Sequence, residues 1–398
     1  MAPTRRAALT YVVFFAAVGA FWPYLPVYYR SFGLDLGIIG LIAALSAATQ
    51  LAAAPIWGGL TDRFPRTRLT LPMAALVATA GAVMLARASN LATIAPGAFA
   101  LSFGLAGIGP VLDARVLDFL GADRLRYGQL RAWGSVSFVV VAVLVGLLLD
   151  RAGVAALFLI LVPLLLLTAL ISLSLPRRSG AAGGSVLRGA LAFVVSPGMR
   201  LFLFGSLLVW SLLSAVTGFY SIQVAALGAP PTTVGFVWAL GAAVEVPIMF
   251  GFPRLAARFG AERLIVVGAA AFAVRAGIAA LARDPVLLVA VAPLEGVGFA
   301  LSFVGGVGYI AHRARPGLAA TAQGVYAATS GLASIVGAAA GGVIAAAVTI
   351  PGLFAGCAAL GIVAALVLAS AVQSGPRLSK NPGTAAQGQP TEPSGLVP

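Results

Sequence analysis

Charge is scarce in this chain: 9% of its 398 residues are charged, and it holds one cysteine, Cys357, and one histidine, His312. A lone cysteine excludes a disulfide framework and most thiolate metal sites. There is no glycine-rich phosphate loop, no metal-spaced set of His and Cys and no serine triad. ATP-driven work and hydrolysis therefore lack support, and neither an enzyme nor a cofactor is expected. A cleavable leader is not expected either, because the first apolar run continues into a two-sided helix pattern and not a small-residue cleavage site.

What is abundant is apolar. Hydrophobic residues make up 61% of the chain and mean hydropathy is +1.04, whereas soluble domains are about half apolar and about a quarter charged. The composition is that of an integral membrane protein. Twelve apolar runs, the first over 9–29 and the last over 351–373, each approach the roughly twenty residues that cross a bilayer as a helix. The expected fold is all-α with twelve transmembrane helices.

The net charge of +14 reads as topology and not as nucleic-acid binding. Arg5, Arg63, Arg66, Arg68, Arg126, Arg177, Arg178, Arg258 and Arg313 fall at the termini or in even-numbered loops, while the odd-numbered loops carry Arg30, Arg87, Arg151 and Arg283. By the positive-inside rule both termini are cytoplasmic, in a multi-pass protein of the inner membrane. Some affinity for anionic lipid follows from the same excess. The stretch 374–398 is rich in Pro, Gly, Gln, Ser and Thr and is expected to be disordered. Its last five residues, Ser394–Pro398, resemble a protease-cleaved tag remnant.

The chain repeats itself. Shifted by 195 residues, Gly40, Ala44, Leu45, Ala48, Leu60, Arg63 and Phe64 fall on Gly235, Ala239, Leu240, Ala243, Leu255, Arg258 and Phe259. A shift of 200 places Phe99–Phe103 on Phe299–Phe303, both reading Phe-Ala-Leu-Ser-Phe. The expected organisation is a six-helix bundle over 1–175, a cytoplasmic linker over 176–198 and a second bundle over 199–373, related by a pseudo-two-fold axis. Parallel repeats of this kind are a transporter plan with the solute between the halves.

Five ionisable residues lie deep inside apolar runs: Asp113, Arg131, Glu245, Arg275 and Glu295. Each costs about 2.5–3.5 kcal/mol at a bilayer centre even on the lenient scale, so a polar pathway is the default reading. A midplane carboxylate beside an arginine that approaches and withdraws is a proton switch. The other reading of each group is a permanent structural ion pair.

After the second helix the chain reads Gly58-Gly59-Leu60-Thr61-Asp62-Arg63-Phe64-Pro65-Arg66. This resembles the signature loop of the major facilitator superfamily. The resemblance implies that Asp62, Arg63 and Arg66 form a conformational latch; the alternative is that the arginines only fix topology. Gly19–Pro26 with its aromatics and two prolines, Tyr127–Ser135, and Trp238–Glu245 make the chain similar to the group of proton symporters that includes lactose and phenylpropionate permeases.

That resemblance assigns roles. Asp113 and Arg131, eighteen residues apart, match the group's solute-holding acid and arginine, and Phe138 falls where the group has a stacking aromatic. Arg275 matches its helix-nine arginine; Glu295 stands where the group has a helix-ten histidine, while the group's helix-ten glutamate is Gly298 here. Glu245 lies about one turn from its helix-eight acid, so the resemblance points to Glu295 as proton carrier with Glu245 close behind. Gln50, the repeat partner of Glu245, and Trp22 and Tyr24 are expected at the solute. The expected function is proton-coupled symport of a small polar organic solute (sugar, nucleoside or aromatic carboxylate) by alternating access, as a monomer in lipid with the proton gradient as energy source. The alternative is a proton-driven exporter of drugs or metabolites.

Overall fold

A computed structural model describes residues 3–64, 68–120, 126–176, 197–314 and 319–373. The first half contains α1 (Pro3–Phe21), α2 (Leu25–Ser31), α3 (Leu36–Arg63), α4 (Thr70–Ala86), α5 (Leu91–Leu120), α6 (Arg126–Ala152) and α7 (Leu157–Ser172). The second contains α8 (Pro197–Ala226), α9 (Pro231–Phe259), α10 (Ala261–Leu281), α11 (Pro285–Val291), α12 (Pro293–Arg313), α13 (Ala319–Val348) and α14 (Ile350–Gln373). No strand occurs among the described residues. Eleven helical segments are long and apolar enough to cross a membrane, and α4, at 17 residues, is a shorter twelfth. Most of the expected linker, the expected tail, and Arg66 of the signature loop lie outside the described residues.

Two apolar runs that read as single helices are broken. Pro23 offers no backbone N–H and disfavours helical geometry in the residue before it. The first crossing accordingly stops at Phe21, turns through Trp22–Tyr24 and restarts as α2 with proline in its first turn. Pro293 divides the tenth crossing into α11 and α12, leaving Glu295 in the first turn of α12. Non-regular backbone at membrane depth is tolerated where it is buried or lines a cavity.

Within the first half α1 packs on α6 and α7, α4 on α5 and α7, and α3 on α5; in the second, α8 packs on α13 and α14, α10 on α12 and α14, and α9 on α12. The repeat is visible in side-chain detail. Phe99 and Phe103 stack at 6.0 Å as Phe299 and Phe303 do at 5.4 Å. Arg63 lies over the Phe64 ring at 5.9 Å as Arg258 lies over Phe259 at 5.1 Å.

The halves meet chiefly through α3 with α13 and α6 with α9. Gly40 and Gly235, equivalent in the repeat, stand at these two seams. A Cβ on Gly40 would lie 2.5 Å from Gly342 Cα, and one on Gly235 2.5 Å from the Ala142 carbonyl oxygen. Both contacts are near the end of the bundle remote from the chain termini, and they close it. At the terminus-bearing end the same helices diverge, and a Cβ on Gly58, Gly59 or Gly324 would meet nothing within 4 Å.

A polar contact seals the closed end. The first turn of a helix leaves backbone N–H groups without intrahelical partners, and α3 satisfies one with its own Asp35, which accepts from Gly37 N at 2.7 Å. The repeat position in α9 is Pro230, with no side chain able to cap. Asp150, on α6 of the other half, takes its place. Its Oδ1 accepts from Thr232 N at 2.9 Å, and the Thr232 hydroxyl donates to its Oδ2.

This contact joins the two halves across that end. A helix cap is worth about 0.5–2 kcal/mol, and about 1 kcal/mol changes a two-state population ratio about fivefold. Asp150→Ala is therefore expected to raise the alkylation rate of a Thr233→Cys probe about fivefold in a Cys357→Ser background; an unchanged rate would mean that the cap does not hold the seam.

Candidate functional site

Between the halves lies a cavity of about 860 Å³. It draws on both bundles: Trp22 from the break in the first crossing, Gln50 from α3, Ser102 from α5, Trp210 and Ser214 from α8, Trp238 and Glu245 from α9, Glu295 and Phe299 from α12, and Ser330 and Ser334 from α13. Trp22 stands in the proline break and is 41% exposed. Glu245 and Glu295 are the charged groups among the described residues of the wall.

The two acids are brought together by glycine. A Cβ on Gly296 would overlap the Gly241 carbonyl oxygen and lie 2.8 Å from Glu245 N. Backbone contact between α9 and α12 is thus possible only without a side chain at that position. Glu295 Oε2 rests against Gly241, one helical turn before Glu245. The carboxylates lie within electrostatic range of each other, Arg131 within range of Glu245, and Arg275 within range of Glu295.

Arg275 is 5% exposed and lies behind the wall. Its guanidinium sits 4.1 Å above the Tyr220 ring, while its Nε has no hydrogen-bond partner. Tyr220 is fixed in turn by donating to the Leu288 carbonyl at 2.7 Å. A buried guanidinium held by a ring face, with a donor to spare, is positioned but not fully satisfied.

The other sequence-derived residues are placed differently. Gln50 and Trp22 reach the cavity wall; Asp113, Arg131, Phe138 and Tyr24 do not line it. Asp113 accepts from the Tyr11 hydroxyl at 2.6 Å, with Tyr127 edge-on to Tyr11 at 6.5 Å. Arg131 lies 5.0 Å over Phe15 near the terminus-bearing end of α6. Phe138 borders Gly19 at the α1–α6 contact. Tyr24 is buried and donates to the Ala142 carbonyl, beside the α6–α9 seam. Asp62 and Arg63 are exposed at the end of α3.

Arg115 on α5 is buried, 3% exposed, and donates through Nη2 to Thr70 Oγ1 at 3.0 Å. Sequence reasoning passed over Trp210, Ser214 and Asp150. The clue to Asp150 is the Pro230–Pro231 start of α9, which needs a cap from elsewhere.

The comparisons agree with this architecture. The model of the MFS_1 like family matches residues 5–354. A maltose permease of Geobacillus stearothermophilus is 32% identical over 282 residues, covering 70% of this chain and 71% of the relative. A probable 3-phenylpropionic acid transporter of Escherichia coli (strain K12) is 27% identical over 314 residues, covering 78% of this chain and 83% of the relative. Among solved structures, the nucleoside transporter NupG superposes with a TM-score of 0.84 at 17% identity, covering 93% of this chain and 99% of that one. With the family match running through nearly all of both bundles, the chain belongs to the MFS_1 like family, a multi-pass membrane transporter of the major facilitator superfamily and not an enzyme.

Proposed function

We propose that this protein is a proton-coupled symporter that carries a small polar organic solute across the inner membrane by alternating access. The observation that carries the reading is the Glu245–Glu295 pair on the wall of a cavity shared by both halves, with buried Arg275 behind it. An approaching guanidinium favours the ionised form of a carboxylate and its withdrawal favours the acid. The spare Nε donor of Arg275 gives that movement a partner to seek. Rocking of α10 against α12 then ties proton binding at Glu295 to the state of the seams, and linkage ties solute affinity to the same equilibrium.

The arginine distribution supports placing both termini in the cytoplasm, so the closed end faces outward and the cavity inward. Asp62 and Arg63, exposed at the end of α3, are then on the side where a latch acts on the opposite closure, and Asp113 and Arg131 are on that same side of the bundle, in the last turns of α5 and the first turns of α6. The printed names of the relatives leave sugars, aromatic acids and nucleosides as candidate solutes. Export is the second reading, but α6 has no proline between Ala132 and Leu149, unlike the exporters of the superfamily.

Purified protein in liposomes tests the reading with labelled maltose, uridine and 3-phenylpropionate. An inward-acid-outside gradient is expected to drive accumulation of at least one of them, abolished by a protonophore. Equal uptake with and without the gradient would remove proton coupling.

A further inference from the structure

The cavity wall has a polarity of its own. Its charged groups among the described residues are both acids, and the nearest arginines stand off the wall, Arg275 over the Tyr220 ring and Arg131 over the Phe15 ring. Three of its hydroxyls are committed as donors along the α8–α13 side. Ser214 donates to the Ser334 carbonyl at 2.8 Å, Ser334 to the Ser330 carbonyl at 2.9 Å, and Ser330 to the Ala327 carbonyl at 2.9 Å. A hydroxyl has one proton and two lone pairs, so each of these serines has lone pairs left to present.

The indoles are similarly committed. Trp210 Nε1 donates to Tyr326 Oη at 3.3 Å and Trp238 Nε1 to Ser221 Oγ at 3.0 Å. What those two tryptophans offer the cavity is ring surface. Phe299 extends it, edge-on to Trp210 at 5.7 Å, and Trp22 adds an exposed indole from the other half. The α8–α13 side of the wall therefore combines acceptors with flat apolar faces, next to the two carboxylates.

We infer that the transported solute is a hydrogen-bond donor without negative charge, a hydroxyl-rich ring compound with one apolar face, and that carboxylate solutes are turned away at Glu245 and Glu295. An anion here would meet two carboxylates with no cation on the wall to answer it, and buried polar groups left unpaired make such discrimination steep. A polyol ring places its hydroxyl protons on the acids and serines, its C–H face on the indoles, and an acceptor within reach of the Gln50 amide. This rests on the transport reading of the same cavity, and it selects among the solutes that the relatives' names leave open.

The field of the wall is measurable without any solute. In a Cys357→Ser background, Ser46→Cys on α3, whose hydroxyl also lines the cavity, places a thiol of nearly the same shape on the wall, with Ser330→Cys as a second position. Reaction is followed with trimethylammonium and sulfonate methanethiosulfonates, each normalised to its rate with a free thiol. The cation is expected to win by about tenfold, because a cleft lined by one sign of charge concentrates the opposite ion. The ratio is expected to fall towards one when Glu245→Gln and Glu295→Gln are added. A normalised anion rate equal to or above the cation rate would overturn the inference.

Solute selection is read by thermal shift with p-nitrophenyl glucoside and p-nitrophenyl glucuronide, which differ at one carbon by a hydroxymethyl against a carboxylate. Stabilisation by the glucoside alone supports the inference, and stabilisation by the glucuronide at least as great overturns it. The two readings fail separately. A cation-selective wall in liposomes that take up nothing contradicts transport alone, whereas uptake of 3-phenylpropionate in preference to sugar contradicts the selectivity alone.

Discussion

Glu295→Gln is expected to abolish accumulation driven by a pH gradient and to leave solute exchange between the two sides intact. The amide keeps the shape that rests on Gly241 and one acceptor oxygen for the wall, but it cannot take up or release a proton. Exchange needs only the rocking of a loaded carrier, whereas uphill movement needs the proton as the second ligand of the same equilibrium. A loss of at least roughly tenfold in gradient-driven uptake with near-normal exchange is the signature of a coupling residue. Full gradient-driven uptake in the variant would remove Glu295 from the proton path and leave Glu245, its neighbour on the wall, as the candidate. Loss of both activities together with folding would identify a structural acid.

Gly296→Val is expected to be the most damaging of the single substitutions considered. The carbonyl oxygen of Gly241 and the backbone nitrogen of Glu245 occupy the space a side chain would need. Neither is the far end of a flexible group, so α9 and α12 must separate. Overpacking of this kind costs about 1–3 kcal/mol or more, and here it also displaces the carboxylate pair. A drop in melting temperature and loss of gradient-driven uptake should appear together in detergent and in liposomes. Gly251→Val, in α9 where a Cβ meets nothing within 4 Å, is the control and should leave both nearly unchanged. A Gly296 variant as stable and active as that control would mean that the close approach is not required.

Much of the fold is legible in the sequence because bilayer thickness sets helix length. The apolar runs anticipate the crossings, and the repeat places Gly40 and Gly235 at equivalent positions, which prove to be the two seams between the halves. The interruptions are less legible: Pro23 and Pro293 lie inside continuous apolar stretches, where hydropathy is blind to a lost backbone donor. Side-chain direction is the harder quantity. Asp113 and Arg131 have the spacing of a facing pair, yet spacing across two helices does not fix which neighbour each one finds. Tyr11 takes the aspartate and Phe15 the arginine. Glu245 and Glu295 lie fifty residues apart, and only the mutual approach at Gly241 and Gly296 explains why they meet.

The borrowed cap of α9 bears on how interchangeable the halves are. The first half begins α3 with an aspartate of its own, while the second begins the matching helix with prolines and takes its aspartate from α6. A repeat unit of the second kind is incomplete when it stands alone, so two copies of the second half could not reproduce the seam that the native pair makes. A molecule built from two first halves would carry both caps internally and lose this mutual dependence. The symmetry of the chain is therefore directional: one half is self-sufficient at this turn, and the other is finished only by its neighbour, as a later-made part finished against one already in place.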